Sequence, residues 1–403
     1  MVKQFSALVV WVFTLFIAVT ASGQNIPPTY EIIAIDHLGG GIAWDKEAVT
    51  KGTAGLGLNN LGQIAGGALT PDGKNHAFLW DKNTGITNIE PVFDIDPIFG
   101  WPYSESIALD INDNSQIIID GYLADYNRGA FFWDSTFGTI ELFDSSLALS
   151  GAYALNNSAQ VVGVQIQPMV GPAAYLWQDL NGNHQSDIGE VRNIIPSNVS
   201  TNRYAKSIND TEQVVGTYRD SGDCSRAFLW QNDNMIDLGT LDGSHKSWAN
   251  DINTHGQVVG ESGGLPRPLS AFIWEDVNGN NQSDLGEMQK LDDLGAYNFA
   301  SAVNDSSLVV GRTQLPDGSL HAVLWDGGTL GITDLNDLLP ENSEWEVLCE
   351  AIDINDLGQI AGYGKLDSGE YRIFLMTPIP EPCSIFLWGL GALAFGVRRA
   401  KKS

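Results

Sequence analysis

The sequence predicts an all-β fold, a seven-bladed β-propeller of four-stranded blades, and three observations lead to that prediction. One short phrase, INTHGQVVG at 252–260, recurs with variations seven times along the chain. Strand-like segments follow each copy, and the third strand of the unit ends in Trp in six copies. The last copy lacks a fourth strand, and a matching segment stands near the N-terminus.

The Asn of this phrase defines the repeat length. The seven positions are Asn59, Asn112, Asn156, Asn209, Asn253, Asn304 and Asn355. The intervals are 53, 44, 53, 44, 51 and 51 residues, and a period in this range is typical of propellers and solenoids. In the fifth unit, WANDI, QVVGES, SAFIWE and MQKLDDL show the alternation and the β-branched or aromatic enrichment of strands.

Turn sequences separate these segments. The first link carries Gly62, Gly256 or Gly358 in three copies and Asn-Ser, Ser-Ala or similar pairs elsewhere. The second link carries Pro-Asp-Gly at 71–73 and 316–318. Residues that tolerate a left-handed backbone favour tight hairpins, so we expect antiparallel pairing within each unit.

The Trp at the end of the third strand is predicted to be core, packed between adjacent sheets, rather than part of a cofactor site. The six copies are Trp80, Trp133, Trp177, Trp230, Trp274 and Trp325. In the seventh unit, Met376 takes the same place.

One unit is divided between the two ends of the repeat region. The last copy stops at FLMTP, while YEIIAIDHLGG at 30–40 matches MIDLGTLDGS at 235–244. An open solenoid has no use for this arrangement, whereas in a closed propeller the N-terminal strand completes the last blade and removes an exposed edge. The propeller is therefore predicted to span residues 24–379.

Residues 1–23 have the pattern of a signal peptide. Lys3 precedes the apolar run ALVVWVFTLFIAV, and ASG precedes Gln24. A membrane anchor is the alternative, but the apolar run is short for a membrane span. We expect the protein to be exported.

The C-terminal residues 380–403 form a three-part element. Pro380, Glu381 and Pro382 precede an apolar segment at 385–397 and a basic tail. This order resembles the PEP-CTERM sorting signal of Gram-negative bacteria, which implies processing by an exosortase and only transient membrane contact. Cys383 departs from the Ser or Ala that many such signals carry, and a simple C-terminal anchor is the alternative. The resemblance implies location at the cell surface or in the extracellular matrix.

The amino-acid sequence of the repeats also resembles a known repeat family. HAFLW at 76–80, RAFLW at 226–230 and DLGTLDGS at 237–244 are similar to the HAF repeat of exported bacterial proteins. The resemblance implies an extracellular location and a repeat architecture. It brings no activity that could be assigned to particular residues.

The charge balance limits the partners. The chain has 21 Lys and Arg against 49 Asp and Glu, a formal net charge of −28. Nucleic acid demands a positive surface, so we exclude it, while solubility and cation binding are favoured. Cys224 and Cys349 lie in different repeats, and we expect no disulfide between them. We also expect the protein to be a monomer.

Two units carry the same twelve-residue insertion after the Trp, DLNGNHQSDIGE at 179–190 and DVNGNNQSDLGE at 276–287. The spacing of oxygen-bearing residues predicts one Ca²⁺ per loop, with a backbone carbonyl at position seven. The candidate ligands are Asp179, Asn181, Asn183, Gln185, Asp187, Glu190, Asp276, Asn278, Asn280, Gln282, Asp284 and Glu287. The loops resemble EF-hand, dockerin and propeller calcium loops, but His184 and Asn281 replace the usual Gly at position six. A polar hairpin without metal is the alternative.

Aromatic residues recur where each fourth strand leads into the next unit, and we expect them in loops opposite the insertions. The candidates for ligand binding are Trp101, Tyr204, Trp248 and Phe299. Aromatic faces beside polar groups stack sugars in a concave site. Alternatively, these side chains cover the seams between blades.

Enzyme motifs are few. The chain has no Gly-Xaa-Ser-Xaa-Gly, His-Glu-Xaa-Xaa-His or phosphate loop, and its six His are scattered. We therefore expect an exported, non-catalytic binding or structural protein whose partner is an extracellular polysaccharide or a surface protein. The alternative is an extracellular glycosidase or lyase with carboxylates around the central channel.

Overall fold

Seven antiparallel sheets of four strands each make up the fold. A computed structural model of the chain describes residues 29–40, 55–89, 103–123, 128–143, 149–167, 171–187, 189–195, 202–241, 244–264 and 267–379. The signal-peptide and sorting-signal predictions, with Pro380, Glu381 and Pro382, lie outside these residues. Within them, we find no helical segment with the length and apolarity needed to cross a bilayer. Tyr30–Ile379 is one compact unit that contains all seven sheets.

The first strands of the blades neighbour one another around the ring and line the central channel, and we call them the inner strands. They are β2 Leu56–Leu58, β6 Tyr103–Ile111, β10 Leu149–Leu155, β14 Arg203–Ile208, β18 Lys246–Ile252, β22 Tyr297–Val303 and β26 Trp345–Ile354. The second strands are β3 Ile64–Leu69, β7 Ile117–Leu123, β11 Val161–Gln167, β15 Val214–Arg219, β19 Val258–Gly264, β23 Leu308–Gln314 and β27 Ile360–Leu366.

The third and fourth strands complete each sheet. The third strands are β4 Asn75–Asp81, β8 Arg128–Asp134, β12 Gly171–Trp177, β16 Ser225–Gln231, β20 Arg267–Trp274, β24 Leu320–Asp326 and β28 Tyr371–Pro378. The fourth strands are β5 Gly85–Asn88, β9 Gly138–Glu141, β13 Val191–Asn193, β17 Asn234–Gly239, β21 Met288–Lys290, β25 Ile332–Asp334 and, from the N-terminus, β1 Tyr30–Ile35. One 3₁₀ turn, Leu335–Leu338, follows β25.

The predicted closure of the ring is confirmed. Blades 1–6 take their strands consecutively from β2 to β25, and blade 7 has the order β1-β28-β27-β26. The N-terminal β1 pairs antiparallel with β28, with Ile32 opposite Met376. The seam therefore joins the two ends of the propeller by backbone hydrogen bonds, and β1 covers the edge that β28 would otherwise expose.

The residues at the end of the third strands form the core, as predicted. Trp177, Trp230, Trp274 and Trp325 are at most 2% exposed, and Met376 is 1% exposed. Trp133 is partly buried against a cluster shared by blades 1 and 2. Large rings suit the wedge-shaped space between twisted sheets because each aromatic side chain buries roughly 150–250 Å² of surface.

The seven turns that carry the repeated Asn share one backbone shape. The residue three positions after each Asn has a positive φ of 56–81°. Gly occupies this position in three turns, and Ser, Ala or Glu occupies it in the other four: Gly62, Ser115, Ala159, Glu212, Gly256, Ser307 and Gly358. The turn geometry thus persists where Gly, the residue best suited to it, is absent.

The repeated Asn links every blade to the next. In each turn its Nδ2 donates a hydrogen bond to the backbone carbonyl oxygen of the Asn in the following blade, at 2.9–3.1 Å, and Asn355 closes the ring on Asn59. Its Oδ1 accepts two backbone N–H groups of its own turn. A buried amide with its donors and acceptors paired in this way stabilises the fold, so the Asn is a blade-to-blade staple.

Candidate functional site

The side chains of the first insertion converge on one point. Asp179 accepts the backbone N–H groups of Gly182 at 2.7 Å and His184 at 3.0 Å. The amides of Asn181 and Asn183 both donate to Oδ2 of Asp187, at 2.9 and 2.6 Å. Positions one, three, five and nine of the predicted calcium loop thus lie around a common centre.

The second insertion repeats this network. Asp276 accepts the N–H groups of Gly279 and Asn281, both at 2.8 Å. Asn278 and Asn280 donate to Oδ2 of Asp284, each at 2.7 Å. The two loops therefore adopt the same fold in blades 3 and 5, at the link between the third and fourth strands.

The departure at position six is accommodated by backbone conformation. His184 and Asn281 adopt φ values of 59° and 56°, and Gly182 and Gly279 at position four adopt 71° and 69°. Position six is where a calcium loop makes its sharp turn. The loops thus keep that turn without Gly, as Asn, Asp and His tolerate this region better than most residues.

The last carboxylate of each loop is buried. Glu190 and Glu287 are 5% exposed. Glu190 accepts the backbone N–H groups of Leu180 at 3.1 Å and Asp187 at 2.9 Å, and Glu287 accepts that of Asp284 at 2.8 Å. Each Glu therefore ties the end of its loop to the middle, a preorganised arrangement for a cation at the centre.

The donor set fits a hard cation through oxygen atoms. Each loop offers three carboxylates and two Asn side chains, with the carbonyl of Gln185 or Gln282 at position seven, and Ca²⁺ takes such mixed oxygen ligands. No group of three or more His, Cys, Asp or Glu side chains among the described residues is arranged to hold a metal by itself. Any calcium site in these loops would therefore depend on the Asn and backbone oxygens.

Each loop also touches the preceding blade. Oγ of Ser186 donates to the carbonyl of Leu142 in blade 2 at 2.7 Å, and Oγ of Ser283 donates to the carbonyl of Leu238 in blade 4 at 3.0 Å. Phe137 of blade 2 stacks on the His184 ring, with centroids 3.5 Å apart. The insertions thus bridge two blade seams at their outer edges.

The predicted aromatic residues lie on strands, which corrects the expectation that they stand in loops. Tyr204, Trp248 and Phe299 belong to the inner strands β14, β18 and β22, and all three are half-buried. The strands begin earlier than predicted because the ladder to the second strand continues past these residues. Trp101 lies outside the described residues.

Phe299 lines a cleft of about 550 Å³ between blades 6 and 7. The cleft lies at the end of the blades opposite the Asn turns. Its lining includes two further aromatic residues, Tyr297 and Tyr371, and the polar Gln314, Glu346 and Lys365. Tyr297 is 42% exposed. Sequence reasoning missed Tyr371 because it stands 72 residues from Phe299 and reaches the cleft only through the packing of blade 7 on blade 6.

Arg312, which lines this cleft, forms a buried ion pair. Nη1 of Arg312 donates to Oε2 of Glu350 at 2.9 Å across the blade 6 to blade 7 seam. The Arg312 guanidinium lies 4.6 Å from the centre of the Phe299 ring. Packing against a planar guanidinium restricts the ring and strengthens the contact by a cation–π interaction, so Phe299 presents a fixed surface to the cleft.

Three carboxylates stand near the other mouth of the channel, two residues before the repeated Asn. Asp110, Asp251 and Asp353 accept the backbone N–H groups of Leu155, Val303 and Leu58 in their neighbouring blades, at 2.7–2.9 Å. Burial raises the pKa of all three carboxyl groups, and that of Asp353 reaches about 7. The negative charges of Asp353 and Asp251 also raise the pKa of Asp110, and that of Asp251 raises the pKa of Asp353, so the three groups interact electrostatically.

Cys224 and Cys349 are free, as predicted. Cys349 is buried, and burial raises the pKa of its thiol to about 11. A thiol of this kind is protonated at neutral pH and a poor nucleophile. His76 and His321 share one repeat position, and His321 bonds to Asp334 at 2.6 Å, a contact between the third and fourth strands of one blade.

These features define an all-β propeller with two matching polar insertion loops and an aromatic cleft. No protein-family model matches the chain, and no curated protein matches its sequence. Among solved structures it is similar to a puromycin-hydrolysing peptidase of Mycobacterium tuberculosis, with 12% identity and a TM-score of 0.51, over 87% of this chain and 55% of that one. It is also similar to a puromycin hydrolase, with 10% identity and a TM-score of 0.50, over 85% and 55%.

The chain spans about half the length of these two proteins. At this level of identity the likeness shows the propeller fold alone, since one fold serves many functions.

Proposed function

We propose that the protein is an exported, non-catalytic binding protein of the cell surface or extracellular polysaccharide matrix of a Gram-negative bacterium, stabilised by calcium. The observation that carries this proposal is the cleft around Phe299. Three aromatic side chains stand there beside an amide, a carboxylate and an ammonium group. Aromatic faces with convergent polar groups suit the apolar and hydroxyl-bearing sides of a sugar ring.

The ends of the chain support the proposed location. The signal-peptide pattern at 1–23 and the resemblance of 380–403 to a PEP-CTERM element are expected of an exosortase substrate. The net charge of −28 suits a soluble surface protein and argues against nucleic acid as a partner. We expect a monomer, because the ring closes on itself and leaves no long sheet edge for a second copy.

The test of binding is a pull-down of residues 24–379 with purified envelope polysaccharides, with calcium and with chelator. We expect retention, and an approximately tenfold loss of affinity in Phe299→Ala, since stacking contributes of order 1–1.5 kcal/mol. Ile166→Ala, an exposed apolar residue of blade 3 that is 40% exposed, is the matched control. Equal retention of Phe299→Ala and the unmodified protein would remove the cleft from the proposal.

Calcium is the second part of the proposal. The two loops would hold one ion each through the convergent side chains described above, and the ion would fix the loop against the preceding blade. Calorimetric titration should give two sites in the unmodified protein, and one each in Asp179→Ala and Asp276→Ala. Asp367→Ala, an exposed turn carboxylate of blade 7, should keep both sites. Absence of calcium-dependent heat would leave the loops as metal-free hairpins.

The enzyme alternative is favoured by one observation. Burial raises the pKa of Glu261, near the channel, to about 7, a property of general acids in glycosidases. Such enzymes need a second carboxylate, and the nearby Glu350 is held by Arg312. We therefore rank binding first. Release of products from a polysaccharide panel, abolished by Glu261→Gln, would reverse that order.

A further inference from the structure

The inner strands share a β-bulge that the repeated sequence motif does not predict. In six blades the register to the second strand shifts at the third residue before the repeated Asn. The residues at this position are Leu109, Tyr153, Lys206, Asn250, Ser301 and Ile352. A bulge takes its residue out of the ladder and re-aims the side chain. Each of these six blades thus sets one side chain at the same level of its inner strand, and those of Leu109 and Ile352 pack against the apolar core.

Four polar residues at this level, which we call the channel belt, connect blades 3, 4, 5 and 6. They are Tyr153, Lys206, Asn250 and Glu261. Nζ of Lys206 lies 4.2 Å from the centre of the Tyr153 ring. Nδ2 of Asn250 donates to Oε2 of Glu261 at 2.6 Å and to the carbonyl of Ala300 in blade 6 at 2.9 Å.

The fold does not require these polar groups. Glu261 stands eight residues after the repeated Asn, and the equivalent residues are Gly67, Asp120, Val164, Thr217, Arg312 and Tyr363. Because Gly and Val serve at this place in other blades, a partly buried carboxylate here costs desolvation without meeting a demand of the propeller. The residue at this position differs in all seven blades, so the repeat itself does not specify a carboxylate here.

The belt is balanced in charge. Burial raises the pKa of Glu261 to about 7, although the charges of Lys206 and Arg312 lower it. The carboxyl is therefore partly protonated near neutral pH. Both cations are also engaged, Lys206 over Tyr153 and Arg312 by Glu350. An anionic ligand would meet no unshared cation there and a chain of net charge −28. A neutral ligand rich in hydroxyl groups would meet both donors and acceptors.

Two predicted aromatic residues adjoin the belt. Tyr204 and Trp248 stand two residues before Lys206 and Asn250 on the same inner strands, and Trp248 pairs opposite Glu261. Both rings are half-buried. An aromatic surface thus lies beside the hydrogen-bonding groups, as in the Phe299 cleft but one to two blades away.

We propose that Lys206, Asn250 and Glu261, with Tyr204 and Trp248, form a second glycan subsite at the channel that selects an uncharged sugar residue, a neutral hexose or pentose, over a uronic acid. This inference rests on the proposed function and names its ligand class. A glycan that reached both the belt and the Phe299 cleft would be held at two points of the same surface.

The experiment is calorimetric titration of residues 24–379 with neutral oligosaccharides (cello-, xylo- and isomalto-oligosaccharides) and with oligogalacturonate and alginate oligomers. We expect neutral chains to bind about tenfold or more tightly than uronates of equal length. Glu261→Leu and Asn250→Ala should lose about tenfold in affinity for the neutral chain, because each leaves partner groups unpaired. Glu261→Gln should lose less, because an amide keeps the bond to Asn250.

The controls distinguish a failure of this second subsite from a failure of the proposed function. Glu275→Leu changes an exposed carboxylate of the same blade that bonds to Gln257, and it should bind as the unmodified protein does. Lys206→Met, at an exposed position, tests the belt without risk to the core. Uronates binding as tightly as neutral chains, or belt variants binding normally while Phe299→Ala fails, would overturn the inference and leave the proposed function standing. Failure of every glycan would overturn both.

Discussion

The two halves of the inner strands follow different rules. We call the half of each inner strand next to the Asn turn the upper half, and the half that begins the strand the lower half. All seven upper halves end before an Asn whose side-chain amide donates a hydrogen bond to the next blade. At the lower half, five residues before that Asn, the described blades carry Ile107, Gly151, Tyr204, Trp248, Phe299 and Glu350. The upper residues meet backbone, which is the same in every blade, whereas among the lower residues Tyr204, Trp248 and Phe299 are half-buried and Phe299 lines the cleft.

Repetition therefore marks what holds the ring together, and variation marks where a ligand could be distinguished. The three buried aspartates fall between these cases. Asp110, Asp251 and Asp353 bond to the next blade's backbone, yet Gly57, Ala154, Ser207 and Ala302 serve at the same position in the other blades. The carboxylate, which both carries charge and accepts the N–H group of the next blade, distinguishes these three blades.

The largest effect should come from these aspartates through pH. The folded-state pKa of Asp353 is about 7, above the unfolded value of about 4, so the folded protein binds the proton more tightly. Its contribution to stability is complete below pH 4 and is lost as pH rises through 7. The change is roughly 4 kcal/mol, at about 1.4 kcal/mol per pKa unit.

Denaturant unfolding between pH 4 and 8, in chelator, measures this effect. Asp353→Asn should weaken the decline in stability with rising pH, and it should gain relative to the unmodified protein as the pH increases. Asp367→Asn, at an exposed turn position of the same blade, is the control. If Asp353→Asn leaves the pH profile of stability unchanged, the Asp353 carboxylate does not cause the loss of stability at high pH and has only the structural role of the other residues in the upper half.

Removing one staple should cost about 3 kcal/mol of unfolding free energy. Asn156→Ala deletes a 4% exposed amide and leaves the carbonyl of Asn209 and the N–H groups of Ser158 and Gln160 without their partner. The midpoint of chemical denaturation reports the loss. Ser158→Ala in the same turn should change stability by less than about 0.5 kcal/mol. A loss of that small size in Asn156→Ala would show that the ring closes without its staples.

Calcium should stabilise the seams that the insertions bridge. At a free concentration a hundred times the dissociation constant, each site adds about 2.7 kcal/mol. Thermal unfolding in calcium and in chelator should differ by about that amount per site, and Asp276→Ala should lose one site's share. If the insertions behave as passive hairpins, chelator will have no effect on the transition.

The smallest effects should come from the turn glycines. Gly256 has a φ of 81°, and a Cβ there would lie 3.3 Å from Oε1 of Gln213. Gly256→Ala should therefore cost about 1 kcal/mol, whereas Ala159→Gly, at a φ of 56°, should be neutral or gain about 0.5 kcal/mol. Equal and opposite shifts in denaturation midpoint would show that the seven turns are interchangeable.

Much of the fold followed from local sequence. The strand alternation, the turn residues and the repeat period predicted seven blades, and the divided unit predicted that β1 would complete blade 7. The insertions could be recognised because all their candidate ligands lie within twelve consecutive residues. Local patterns of this kind act over a few residues, where chain geometry alone determines which side chains face each other.

Tertiary structure alone decided the contacts between blades. Asn355 reaches Asn59 across 296 residues, Arg312 reaches Glu350 across a seam, and Tyr371 joins Phe299 in one cleft. These contacts depend on how far each sheet twists and how closely it packs on the next, and no pattern within one repeat encodes that relation. The sequence by itself determined the number of blades and the closure of the ring. The packing of the blades determined where the ring could bind something.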